Sequence, residues 1–145
     1  MDAAKTVSIW DPDGDGLYAV PGNDVVYSIT ITNTGDLAAD ADSLFLVDAM
    51  PADVAFYNDD IDDGGPLSDP VIGIDNGTGL TLSYPADVKF SNAAVKPADE
   101  SECGYAPAVG TYDPAVTFIC LSPKGLMLAG DPDPDFEIRF RARIQ

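Results

Sequence analysis

Residues 25–35, Val-Val-Tyr-Ser-Ile-Thr-Ile-Thr-Asn-Thr-Gly, constrain the fold more than any other stretch. Tyr27, Ile29 and Ile31 alternate with Ser28, Thr30 and Thr32. A period of two puts apolar side chains on one face and hydroxyls on the other, the pattern of a half-buried strand. Its β-branched residues suit a pleated surface packed on one side. Turn-forming residues bracket it, Pro21-Gly22-Asn23-Asp24 before and Asn33-Thr34-Gly35-Asp36 after. The stretch reads as a central strand of an antiparallel sheet with one buried face.

The remaining chain follows the same grammar. A first strand is expected from about Thr6, carrying Val7 and Ile9. Leu44 to Asp48 forms another, and Val54 to Tyr57 continues it after the turn Met50-Pro51-Ala52-Asp53. Val71–Ile74 and Leu80–Tyr84, joined by Asp75-Asn76-Gly77-Thr78-Gly79, predict a hairpin. Val88–Phe90, Val116–Cys120 and Leu126–Leu128 add short apolar segments. Phe136 to Gln145 is the cleanest amphipathic strand, with Phe136, Ile138, Phe140, Ala142 and Ile144 opposite Glu137, Arg139, Arg141 and Arg143. No apolar pattern of helical period persists for three turns. Roughly eight to ten short strands separated by turns predict a β-sandwich in one domain. A chain of 145 residues can bury roughly 68–70% of its unfolded surface, enough for a core of its own.

Charge narrows the partners. The formal net charge is −18, with 25 acids, 7 bases and no histidine. Glu100, Glu102 and Glu137 are the only glutamates, so 22 of the acids are aspartates. Aspartate favours turns and oxygen-ligand cation sites over helix interiors. The bias fits either a loop-rich protein with calcium nearby or adaptation to a salty medium. No basic surface exists to neutralise phosphates, so nucleic acid and anionic membrane are poor partners.

Cys103 and Cys120 are the only cysteines, and without histidine a disulfide is favoured over zinc. A disulfide places the protein in an oxidising compartment, with an extracellular or cell-surface location expected. No signal peptide follows Met1, so an exported chain is expected to be the processed form with an added methionine. No apolar run reaches transmembrane length.

Three acidic segments are candidate cation sites. Asp11, Asp13 and Asp15 before Gly16 match the first half of a calcium loop, with Leu17 offering its carbonyl. The twelfth position is Gly22 rather than Glu, so Asp24 is the candidate for the missing carboxylate. Asp59, Asp60, Asp62 and Asp63 form a second cluster. Asp131, Asp133 and Asp135 form a third, read chiefly as a guarded sheet edge. The aspartates of these segments all lie in polar loops and no histidine is available as a base, so no catalytic residues are assigned and no enzyme is expected.

All three arginines lie on the outer face of the last strand. A like-charge row calls for acids opposite it, either within the domain or on a neighbour. If on a neighbour, Thr6, Val7 and Ile9 of the first strand, with Arg139, Arg141 and Arg143, form an assembly interface by strand addition.

The frame from Pro21 to Gly35, followed by Val47-Asp48-Ala49-Met50-Pro51 and Val54-Ala55-Phe56, resembles a conserved-repeat, Ig-like domain of unknown function found in bacterial surface and secreted proteins. Leu128-Ala129-Gly130 before the last strand also fits the resemblance. It implies an Ig-like sandwich over residues 1–145, with 58–120 a variable, insertion-like region. It also implies a structural or adhesive role. The expectation is an extracellular filament, appendage or matrix subunit, calcium-stabilised and homo-oligomeric. The alternative is a calcium-dependent glycan- or surface-binding module, which an exposed cluster of Trp10, Tyr57, Tyr105 and Tyr112 would favour.

Overall fold

The computed structural model describes residues 1–145, and the fold is all-β. Two antiparallel sheets enclose one continuous hydrophobic core. The larger sheet is built on β2 (Asp24–Thr32) and β9 (Asp135–Ile144), which pair along their length from Asp24↔Arg143 to Thr32↔Asp135. Their alternation matches the register, so Tyr27, Ile29, Ile31, Phe136, Ile138 and Phe140 share the buried face. The sequence expectation for both strands is met. Tyr27 and Phe140 stack with ring centroids 5.3 Å apart, and Phe56 joins them from β4 (Val54–Tyr57).

β1 (Asp2–Ile9) pairs with the free side of β2 over eight positions, beginning four residues before the expected start. It is therefore bound within its own domain, although only Ile9 escapes full exposure. β9 is not an edge. β2 holds one side, while β5 (Val71–Asn76) and β4 share the other, at Asp135–Phe140 and Ala142–Ile144. β4 also carries the two-residue β7 (Tyr112–Asp113).

The smaller sheet runs β3 (Leu46–Ala49), β8 (Phe118–Leu121), β6 (Val88–Ser91). β3 and β4 thus lie in different sheets, and Met50–Asp53 carries the chain across the sandwich rather than prolonging one strand. The expected hairpin over 71–84 is also corrected. Asp75 accepts the amides of Thr78 and Gly79, and Gly77 and Gly79 adopt positive φ of 91° and 82°. This turn sends Thr81 away to exchange backbone bonds with Lys124, and leaves β5 to pair with β9. Leu126–Leu128 forms no strand, but Met127 is fully buried, and the Met127 carbonyl and Leu128 amide bond to Ala39 and Thr78. Residues 58–120 are not peripheral, since they supply β5, β6, β7 and core residues Leu80, Val88, Phe90, Val116 and Ile119.

Asn33 closes β2. It is 4% exposed, its side-chain amide reaches the carbonyls of Leu37, Met127 and Leu128, and its oxygen accepts the Gly35 amide. The Asn-Thr-Gly stop signal is therefore a bracket between two loops as well as a turn. Cys103, just after the 3₁₀ turn Glu100–Glu102, is disulfide-bonded to Cys120 of β8, as expected.

Candidate functional site

The outer face of the larger sheet carries the features the sequence left open. Outward positions of β2 and β9 alternate with the core positions, so Asp24, Val26 and Ser28 stand beside Arg143, Arg141 and Arg139. The 58–70 connector between β4 and β5 starts and ends on the same side of β9. It folds back over this face, burying Ile61 and bringing Asp63 to Arg141.

Asp24 is the centre of the network. Its two carboxylate oxygens accept Arg141 Nε at 2.6 Å and Arg143 Nε at 2.8 Å. Tyr112 donates its hydroxyl to Asp24 at 2.6 Å and accepts Arg143 Nη2 at 2.6 Å. Arg141 Nη1 reaches Asp63 at 2.7 Å. The Arg141 guanidinium also lies over the rings of Trp10 and Tyr57, 4.6 and 4.5 Å from their centroids, a cation–π arrangement. Arg143 sits similarly over Tyr112 at 3.8 Å. Burial works against the Arg141 charge, but Asp63 and Asp24 outweigh it and hold its pKa above the ordinary value. Burial and the Asp24 carboxylate push the Tyr112 phenol up to about 12. Arg139 donates through Nε and Nη2 to both oxygens of Glu137, which holds Glu137 below its usual range.

The arginine row therefore finds its acids inside the domain, at Asp24, Asp63 and Glu137. Each of the three guanidinium groups already holds an acid of its own domain, and Arg141 is buried. Trp10, Tyr57 and Tyr112 come together, but around arginine, while Tyr105 lies apart and bonds Asp113.

The proposed calcium set of Asp11, Asp13, Asp15, Leu17 and Asp24 does not assemble, because Asp24 is held by the two arginines. Asp11 is turned onto its own loop and accepts the amides of Asp15, Gly16 and Leu17. Against the upward push of desolvation, these bonds hold its carboxyl below the usual value. In the second cluster Asp59, Asp60 and Asp62 likewise accept backbone amides, from Asp60, from Asp62 and Gly64, and from Leu67. In the third, Asp135 starts β9 between Thr32 and Asn76 and is not at an edge.

Beside the network lies a groove of about 410 Å³. Its floor is a row across adjacent strands, with Ser28 and Ile72 flanking Arg139. Trp10 and Pro12 form one wall, and Ile61, Asp62 and Leu67 the other. Pairing of the row could be anticipated from its sign, but not the pairs, because Asp24 is 117 residues from Arg141.

Compared with known proteins, the chain matches no family model, no curated protein and no solved structure. The repeat-domain resemblance thus rests only on its sequence motifs, the β2 and β3–β4 frame and Leu128-Ala129-Gly130.

Proposed function

We propose that the protein is an extracellular structural subunit that assembles by exchanging β1 between copies, in line with an Ig-like surface-protein domain. One observation carries this reading: β1 is an edge strand, exposed almost throughout, with one whole backbone edge unpaired. Asp2 and Lys5 are its only charges in a chain of net charge −18, and Lys5 is engaged by Asp48 at 2.6 Å. Such an edge is a template for pairing with another chain. Residues 10–23 link β1 to β2, and fully extended they reach about 46–50 Å. A neighbour's β1 can then occupy the same place on β2 and recover the same hydrogen bonds. A head-to-tail exchange that does not close gives a filament. The acceptor is β2 rather than β9, whose two sides are already filled. The Cys103–Cys120 bridge supports an oxidising, extracellular setting, and the protein has no helix long and apolar enough to cross a membrane.

Thr6 and Ser28 are direct partners, so Thr6→Cys with Ser28→Cys reports the exchange. Oxidised at rising concentration, with and without calcium, the double variant should give dimers and longer ladders on non-reducing gels. Monomer bands alone under every condition would rule out the exchange. The second reading, a glycan- or surface-adhesion module, draws support from the open groove beside Trp10.

A further inference from the structure

We propose that the groove between Trp10 and the 58–70 connector binds a neutral oligosaccharide segment through Arg139, Asp62 and the Trp10 wall. This names a ligand class for the adhesion reading and rests on it; because Ser8, Ile9 and Trp10 come from β1 and its linker, the groove described is that of the unexchanged chain.

The argument begins with size. A groove of about 410 Å³ lies within the range of about 300–1,000 Å³ that holds small ligands. Being open, it lets a longer chain continue past it. Its lining mixes apolar walls with a few fixed polar groups. Trp10 and Leu67 offer aromatic and hydrocarbon surface, over Ile61 and Ile72 beneath them. Ile61 and Ile72 are buried, so that surface is anchored by the fold. Trp10 has Arg141 against its ring, which fixes the indole in place.

The polar groups decide among ligand classes. Arg139 uses Nε and Nη2 on Glu137, so Nη1 keeps its donors for a ligand. One Asp62 oxygen accepts the Leu67 amide, and the other is a spare acceptor. Ser8 adds a hydroxyl that can donate or accept, and Ser28, which donates toward Glu137, keeps its acceptor capacity. An ammonium group has no acceptor to offer, so a cationic ligand docked by its charge would leave the Arg139 Nη1 donors unmatched. An anionic ligand would meet Asp11 and Asp62 in the walls and a net charge of −18. Arg139 is already neutralised by Glu137, so it cannot offset that repulsion. A neutral sugar ring fits both halves, presenting C–H groups to the apolar walls and donor-acceptor hydroxyls to Arg139, Asp62 and the serines.

Trp10 is the only tryptophan, so its emission reports directly on the groove. The full chain is titrated with cello-, manno- and chito-oligosaccharides, with oligogalacturonate as the anionic arm and chitosan oligomers as the cationic arm. At least one neutral series should give a saturable change with a millimolar dissociation constant. Arg139→Ala and Leu67→Ala, each checked for an intact melting transition, should weaken it on the order of tenfold. Calorimetry with Trp10→Ala should show the same loss without relying on fluorescence. No saturable response to any neutral series overturns the proposal, as does tighter binding in either charged arm. A concentration-dependent signal without sugar that persists when Thr6→Cys with Ser28→Cys is locked as the oxidised monomer assigns the groove to a second copy and also overturns it. Sedimentation with insoluble cellulose, mannan and chitin separates the two claims. Retention that survives both variants leaves the adhesion reading standing and removes this groove from it.

Discussion

Asp24 is 5% exposed and lies between two guanidinium groups, so its charge is matched but isolated from water. Arg141 is 6% exposed and depends on it. Removing one partner of a buried pair leaves a charge without compensation and costs about 3–5 kcal/mol. Asp63 still holds Arg141, so Asp24→Asn should cost about 3 kcal/mol, the lower end of that range. Chemical denaturation should show this as a lower midpoint at unchanged slope. The same substitution should act on Tyr112. Its folded pKa, about 12, lies above the ordinary 10.0 because burial and Asp24 favour the neutral phenol. A raised folded pKa means the associated stability is complete below pH 10 and is lost as pH rises through about 12. Asp24→Asn removes a charge that opposes phenolate formation, so ultraviolet titration should place Tyr112 nearer 10. A Tyr112 transition unmoved by Asp24→Asn would show that burial alone sets it.

At the scale of elements, β9 organises the larger sheet because its ten residues accept β2 on one side and two strands on the other. β5 lies against it with little room. A Cβ built at Gly73 would sit 2.6 Å from Phe136 Cζ and 2.8 Å from Leu82 Cβ. Gly73→Ala should therefore cost about 1–3 kcal/mol, the usual range for overpacking. A melting temperature equal to the parent's would show that Phe136 swings aside freely. β2 and β9 were legible in the sequence because a period of two survives wherever one face is buried. Asp75-Asn76-Gly77-Thr78-Gly79 carries the local chemistry of a hairpin turn, but β5's partner lies more than 50 residues away, in β9, where no local signal points. The sheet change at Met50–Asp53 was hidden for the same reason, since alternation says which face is apolar and not which sheet receives it. The site followed this pattern. The arginine row was visible, and so was its need for acids. Local spacing offers Asp24 to a cation loop, whereas cross-strand register gives it to Arg143 and Arg141.

For the molecule as a whole, the open question is what a charge of −18 does to a fold that spends few of its acids on bases. Five ion pairs form, and the Arg141–Asp24 pair is shielded from solvent on both sides. Salt screens exposed charges more than buried ones. Mutual repulsion among the surface aspartates should therefore fade with salt while the buried pair persists. Added sodium chloride should raise the melting temperature by about 3 °C or more, equivalent to about 1 kcal/mol for a chain of this size. Calcium tested at matched ionic strength then separates two explanations of the aspartate bias. A cation that binds only the folded state adds stability by mass action beyond screening. Equal shifts in the two salts would assign the bias to general screening. A larger calcium shift, blunted by Asp13→Ala or Asp60→Ala, would assign it to the corresponding loop, rearranged from the backbone-bonded state in which Asp11 and Asp60 now sit. A melting temperature that falls with sodium chloride would show that the ion pairs outweigh the repulsion, and that the acidic surface stabilises the monomer rather than waiting for a counter-charge.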